Sequence, residues 1–155
     1  MNMKPYRITV HCADTPNGKI VPADEIRKWH LARGWNDIGY HLVIQPTGEV
    51  ERGRGLNEQG AHVEGANEGN IGICLPGTDR FTARAFSTLR YQIDSIRMNY
   101  GISEHELYCH NQFKSAQEQG KTCPNMSINR LLAWYLLKDE KMIQPYLIEE
   151  TSWNY

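Results

Sequence analysis

The segment Ile71-Gly72-Ile73-Cys74-Leu75 constrains the fold of this chain more than any other. It is almost wholly apolar, and Pro76-Gly77 ends it after the length of a short strand. A strand with no polar face belongs in the middle of a sheet covered on both sides. Two further strands are predicted upstream of it. Residues 7–12 alternate polar and apolar and read as a strand ending at His11, and Gly39 to Ile44 reads as another. Pro46-Thr47-Gly48 then turns the chain into Glu49-Val50-Glu51-Arg52, which makes a hairpin.

Helix signals are interleaved with these strands. Pro22, Asp24 and Glu25 open a helix over residues 23–33, because proline suits the first turn and acids complement the positive end of the helix dipole; Gly34 stops it. Ile26, Trp29 and Arg33 share one of its faces. Thr82 caps a long helix in which Phe86, Leu89, Ile93, Ile96 and Tyr100 form one apolar stripe, ended by Gly101. Ser127 caps a last helix with Leu131, Leu132, Tyr135 and Leu136. The stretch containing Gly53, Gly55, Gly60, Gly65 and Gly69 has few large apolar residues and reads as irregular surface of the kind that lines a groove. The expected fold is therefore α/β: a single domain over residues 1–155 with a central mixed β-sheet flanked by helices. The tail, residues 143–155, carries Tyr146, Trp153 and Tyr155 and is expected to pack on the body.

Composition narrows the partners. A chain of 155 residues with 40% hydrophobic and 23% charged residues can bury a real core and is of ordinary globular type. A net charge of −1 speaks against a nucleic-acid binder that works by neutralising phosphates. No run of eighteen apolar residues exists to span a bilayer, so no membrane insertion is expected. The start, Met1-Asn2-Met3-Lys4-Pro5-Tyr6, lacks the apolar core and cleavage site of a secretory signal, which predicts a chain that is cytoplasmic as synthesised. Cys12, Cys74, Cys109 and Cys123 could formally make two disulfides; a reducing compartment favours ligation or burial instead.

Two imidazoles and a thiolate, from His11, His110 and Cys123, suit zinc, and three ligands leave the fourth tetrahedral position open. A closed structural site would take four ligands, usually with a Cys-x-x-Cys pair, and the chain has none. By itself His11, closing a strand, reads more readily as a structural histidine than as a ligand. Cys123, before Pro124 in a polar loop, is hard to place in a core and favours ligation. Cys12 and Cys74 sit in apolar strands and read as small buried residues, whereas backbone alternation points Cys109 away from its neighbour His110. His62 reads as a groove residue that bonds substrate or as a solvated loop histidine. His30 is expected on a helix surface, His41 on the second face of its strand, and His105 at the surface. No His-Glu-x-x-His helix is present, which rules out the zincin arrangement.

Several segments, taken in order, resemble one family. Val10-His11-Cys12 is similar to its first metal-binding strand, and Ile26-Arg27-Lys28-Trp29-His30 followed by Gly34-Trp35-Asn36-Asp37-Ile38-Gly39-Tyr40-His41 is similar to its most recognisable run. Gly60-Ala61-His62 through Asn67, Asn70 to Leu75, and His110 to Lys121-Thr122-Cys123-Pro124 resemble its groove loop, central strand and second metal cluster. The chain thus resembles the zinc-dependent N-acetylmuramoyl-L-alanine amidases that share a fold with peptidoglycan-recognition proteins, and within them the short single-domain phage endolysins. The match covers about residues 6–137.

The resemblance implies one Zn2+ per chain on His11, His110 and Cys123, with Tyr40 and Lys121 as the supporting catalytic pair, and His62 and Asn67 on the substrate. It implies peptidoglycan as the substrate, a monomer and a setting in phage lysis; without a secretory signal at its start the chain is expected to need a separate membrane lesion to reach the wall. The segment from Asn111 to Thr122 is longer than in the family, and Asn111-Gln112 stands where Arg-Asp is common; these bear on the surroundings of the site and on substrate preference. Two rivals remain. One is a non-catalytic peptidoglycan-binding module, against which the presence of Cys123 argues. The other is a regulatory protein-binding role, for which the tail leaves room.

Overall fold

The computed structural model describes residues 2–149, so Trp153 and Tyr155 of the predicted tail lie outside the described residues. Five strands form one sheet: β1 (Arg7–Cys12), β2 (Leu42–Ile44), β3 (Val50–Arg52), β4 (Asn70–Leu75) and β5 (Leu107–Cys109), in the order β3-β2-β4-β1-β5. The apolar segment that anchored the sequence reading is β4, the middle strand, with all six residues buried. It runs parallel to β1 and β2, and β1 runs parallel to β5. Only the hairpin partner β3 is antiparallel, which makes the sheet mixed.

Strand alternation sorts side chains onto two faces. On one face Ile8 and Val10 of β1, Leu42 and Ile44 of β2, and Ile71, Ile73 and Leu75 of β4 join the larger core. There they meet Phe86, Leu89, Ile93 and Ile96 from α2 (Ala83–Tyr100) and Leu131 and Trp134 from α4 (Ile128–Leu137). Phe86 and Trp134 pack edge to face at 5.5 Å, the arrangement favoured by the ring quadrupoles. On the other face Val43 and Cys74 pack with Val21, Ile38, and Ala23 and Ile26 of α1 (Ala23–Ala32). The parity that sends Ile8 and Val10 into the larger core sends Thr9 and His11 to the α1 side.

Caps and ties follow the predicted chemistry. Thr82 Oγ1 accepts from the Ala85 N–H at 3.0 Å and donates to the Pro46 carbonyl at 2.6 Å, so one hydroxyl both caps α2 and fixes it to the β2–β3 turn. Arg90 donates to the Trp134 and Tyr135 carbonyls at the end of α4, with its guanidinium 4.3 Å from the Trp134 ring. A 3-10 helix, Glu140–Tyr146, follows α4, and its Tyr146 hydroxyl accepts from Ser127 N. The described part of the tail therefore packs on the body. Among the described residues no helix is long and apolar enough to cross a membrane.

The structure sharpens the predicted elements at four places. The second strand begins at Leu42, and the residues from Gly39 lead into it as bends; Gly39 and Tyr40 use their carbonyls on Ala61 and Arg54 instead of a neighbouring strand. The buried face of α1 is Ala23, Ile26 and His30, while Trp29 stays 40% exposed. The inward face of α4 includes Trp134, with Leu132 and Leu136 only partly covered. The segment from Asn111 to Thr122 is not one open loop: it holds the end of a 3-10 turn, His110–Gln112, and a short helix α3 (Lys114–Glu118). Strand β5 is three residues long, too short to leave a periodic signal.

Candidate metal centre and its groove

His11 lies near the C-terminal end of β1, where parallel strands deliver their loops and open α/β sheets place ligands. His110 reaches it because β5 pairs with β1, Val10 opposite Cys109, and the chain turns into a 3-10 helix at the next residue. The two imidazole rings lie 4.5 Å apart, tilted by 51°. Cys123 arrives from beyond α3 and is anchored by the Cys12 backbone, whose N–H donates to Sγ at 3.0 Å. One ligand atom from each of His11, His110 and Cys123 lies within 4.8 Å of the others. Among the described residues no other group of histidine, cysteine or acidic side chains converges in this way. Cys109 belongs to the larger core on the opposite side of the sheet, and His105 is exposed. None of the four cysteines is in a disulfide.

Tyr40 and Lys121 border the same place. The Tyr40 ring is 5.1 Å from that of His11, and a cavity of about 340 Å³ is lined by Tyr40, His110, Lys121, Cys123, Arg33 and Asp14. A second cavity of about 290 Å³ is lined by Trp35, Ala61, Glu64, Asn67, Gln119 and again Lys121, with His62 at its wall. Lys121 stands between the two halves of the groove.

Two histidines, His30 and His62, differ from their sequence reading. His30 is buried on α1 and its Nδ1 accepts from the Gly39 N–H at 2.8 Å, while its ring lies 4.6 Å from Trp35 and 5.5 Å from Tyr40. It holds the run from Gly34 to Tyr40 against the site. His41 is fully buried, between the Gly72 N–H and the Glu58 carbonyl. His62, expected to bond substrate or solvent, is buried with both ring nitrogens engaged: Nδ1 with His11 Nε2 at 2.8 Å, and Nε2 with the Asn70 carbonyl at 2.8 Å. Asn67 turns its Oδ1 to the His62 and Val63 N–H groups, so that oxygen shapes the loop. Sequence reasoning missed these roles because each depends on a partner far away in the chain. One local sign was available: the glycines that leave room for the rings.

Comparison with known proteins places the chain. The sequence profile of the N-acetylmuramoyl-L-alanine amidase family matches residues 1–126. The chain belongs to that family. Endolysins of Klebsiella phage KP32 and Escherichia phage T7 are each 33% identical to this amidase, over 80% and 79% of the chain and 83% and 82% of their own lengths. Peptidoglycan-recognition protein SC2 of Drosophila melanogaster is 30% identical over 86% of the chain and 75% of its own length. Among solved structures, the amidase LysC from Clostridium intestinale superposes with a TM-score of 0.75 at 26% identity, covering 88% of this chain and 87% of its own.

Electrostatics prepares the amidase's donors unequally. Burial, reinforced by the neighbouring His62 and His110, holds His11 well below the usual histidine range. Burial and then the charge of Lys121 bring His110 down to about 4. Both imidazoles are thus neutral at pH 7 and able to ligate. The Cys123 thiol is pushed the other way, by its hydrogen bond with Cys12 and by burial, so it needs a cation beside it to remain a thiolate. Tyr40 is raised well above the ordinary tyrosine range, first by burial and then by the surrounding cysteines, which keeps its phenol protonated.

Acid should therefore destabilise the metal-free chain. Burial also brings His30 down to about 4 and His62 to about 3. Below about pH 6.5 the unfolded chain takes up protons that the folded one refuses, so stability falls as pH drops from about 6.5 towards 4. The enclosed His62 accounts for a slope of up to about 1.4 kcal/mol per pH unit, and His30 and His110 act in the same direction. Urea unfolding with a chelator present should show a marked loss of stability between pH 7 and 4.5; a flat profile would contradict these shifts.

Proposed function

We propose that this amidase cleaves the bond between N-acetylmuramic acid and L-alanine in bacterial peptidoglycan using one zinc ion held by His11, His110 and Cys123, as a phage endolysin does in host lysis. The observation that carries the reading is the convergence of two neutral imidazoles and a thiol within 4.8 Å, with His110 and Cys123 in the wall of a groove bordered by Tyr40 and Lys121 and His11 buried behind it. The residues fit the ion. Zinc–ligand distances of about 2.0–2.3 Å would place two nitrogens and a sulfur about 3.3–3.6 Å apart, so the donors, now within 4.8 Å of one another, need to close by little more than about an ångström. A mixed imidazole and thiolate set with three members is that of an open, catalytic zinc centre. When bound, zinc supplies Lewis acidity to the scissile carbonyl and to the attacking water.

The chain's own groups complete the chemistry. Tyr40, a protonated phenol beside His11, donates a hydrogen bond to the water or to the reacting carbonyl. Lys121, an exposed cation at the centre of the groove, stabilises negative charge as it develops on that carbonyl oxygen. Arg33 and Trp35, the guanidinium 5.7 Å from the indole ring, line the groove beside these two and bound the space a muropeptide occupies.

Support also comes from the relatives. Those named endolysins come from phages, and a recognition relative, PGRP-LE, was solved with a monomeric diaminopimelic acid-type peptidoglycan at 25% identity and a TM-score of 0.68. A binding module without hydrolysis is the competing reading, and one experiment separates the two. Digested peptidoglycan analysed by mass spectrometry should yield stem peptides beginning with a free alanine amine and no new reducing sugar ends. New reducing ends would indicate glycosidase chemistry, and intact muropeptides after binding would indicate recognition only.

A further inference from the structure

We propose that His62 is a positioning residue that fixes the tautomer of His11, through a relay His11 to His62 to the Asn70 carbonyl, so that His11 presents Nδ1 to the metal. The inference rests on the zinc reading above and departs from the expectation that His62 meets substrate.

The argument is proton placement. A carbonyl oxygen can only accept, so the 2.8 Å contact between His62 Nε2 and Asn70 O puts the single proton of the neutral ring on Nε2. His62 Nδ1 then has only a lone pair, and it lies 2.8 Å from His11 Nε2. His11 must donate there, which leaves its own proton on Nε2 and its Nδ1 free. The direction of both bonds is thus set by one backbone carbonyl at the first residue of β4. Metal-ligating histidines commonly donate their second N–H to a carboxylate, carbonyl or water, which fixes ring orientation and raises basicity. Here a second imidazole carries that bond on to a carbonyl.

The surrounding backbone is built to hold the relay. The His62 ring packs directly on Gly72 of β4, where a Cβ would sit 2.7 Å from Cγ and 2.8 Å from Nδ1. At Gly60 a Cβ would sit 2.7 Å from His62 Cδ2 and 2.8 Å from His41 Cε1. Asn67 Oδ1 accepts from the His62 N–H, and Thr9 donates to Asn70 Oδ1 at 2.7 Å, so both ends of the relay are pinned. A merely space-filling residue at 62 requires none of this bonding.

The test reads zinc affinity by competition with a chromophoric chelator, and imidazole tautomers by long-range proton–nitrogen NMR on the metal-free chain. In the unmodified chain both His11 and His62 should show the Nε2–H tautomer. His62→Leu should lower zinc affinity about 10-fold to 100-fold and release His11 into mixed tautomers. His62→Asn, whose Oδ1 falls near the place of Nδ1, should recover part of that loss. Gly72→Ala, which keeps His62 but crowds it, should weaken zinc binding in the same direction. Zinc affinity in a folded His62→Leu chain within about twofold of the unmodified one, or an Nδ1–H His11 in the unmodified chain, would overturn the relay. If His62→Leu does not fold, His62→Asn and the NMR of the unmodified chain still decide. An unmodified chain that binds no zinc yet shows both Nε2–H tautomers would sink the zinc reading and leave the relay standing.

Discussion

Cys123→Ser should leave a folded chain that holds no zinc and hydrolyses peptidoglycan no faster than a blank. The thiolate is the only anionic member of the proposed ligand set, and a serine hydroxyl does not ionise near neutral pH to replace it. Two neutral imidazoles alone bind the ion too weakly to survive dialysis. Folding should persist, because the serine oxygen still accepts the Cys12 N–H that anchors Cys123. Metal analysis, a melting curve and a hydrolysis assay on one preparation check all three points, with addition of zinc to the chelated parent restoring its activity as the control. Cys109→Ala is the matched contrast: in the larger core, away from the site, it should keep zinc and lose roughly 1 kcal/mol or more of stability. Zinc retained in Cys123→Ser and lost in Cys109→Ala would exchange the two assignments.

The next largest effect should come from Tyr40→Phe and Lys121→Ala, each lowering turnover about 100-fold to 1,000-fold while zinc content stays near one per chain. Neither side chain is of a type that usually ligates zinc. Tyr40 loses only a hydroxyl, and its ring contacts with His11 and His30 are kept by phenylalanine. Lys121 is exposed, so its removal leaves no buried gap. Substrate binding should change far less than rate, since the unreacted amide carries no full charge for Lys121 to meet. A split between peptidoglycan pull-down and hydrolysis is the expected signature. Hydrolysis near normal in both variants would return the two side chains to packing and solvent.

The histidines mark where sequence reading stops. His11 and His30 each stand in a simple local context, one next to the end of a strand and one in the last turn of a helix, and neither context says what the ring touches. His62 sits in a glycine-rich stretch that reads as solvated surface, yet it is buried because β4 and the loop backbone close over it. The same holds for Cys12, legible as a buried strand residue, whose backbone turns out to carry the Cys123 sulfur. Periodicity reports which side of an element is apolar; it carries no information about a partner fifty or a hundred residues away.

By itself the sequence determined the architecture and the chemical inventory. The apolar run at 71–75 demanded a central strand, the caps at Thr82 and Ser127 set the long helices, and the donor types limited the metal. Those signals are local: they arise from period, capping and the ligand preferences of an ion. Tertiary structure alone decided which donors meet and in what protonation state. The register of β5 against β1 brings His110 to His11, and the Asn70 carbonyl governs the proton on His62. Both depend on backbone groups from separate strands being held a few ångströms apart, and only the assembled sheet supplies that constraint.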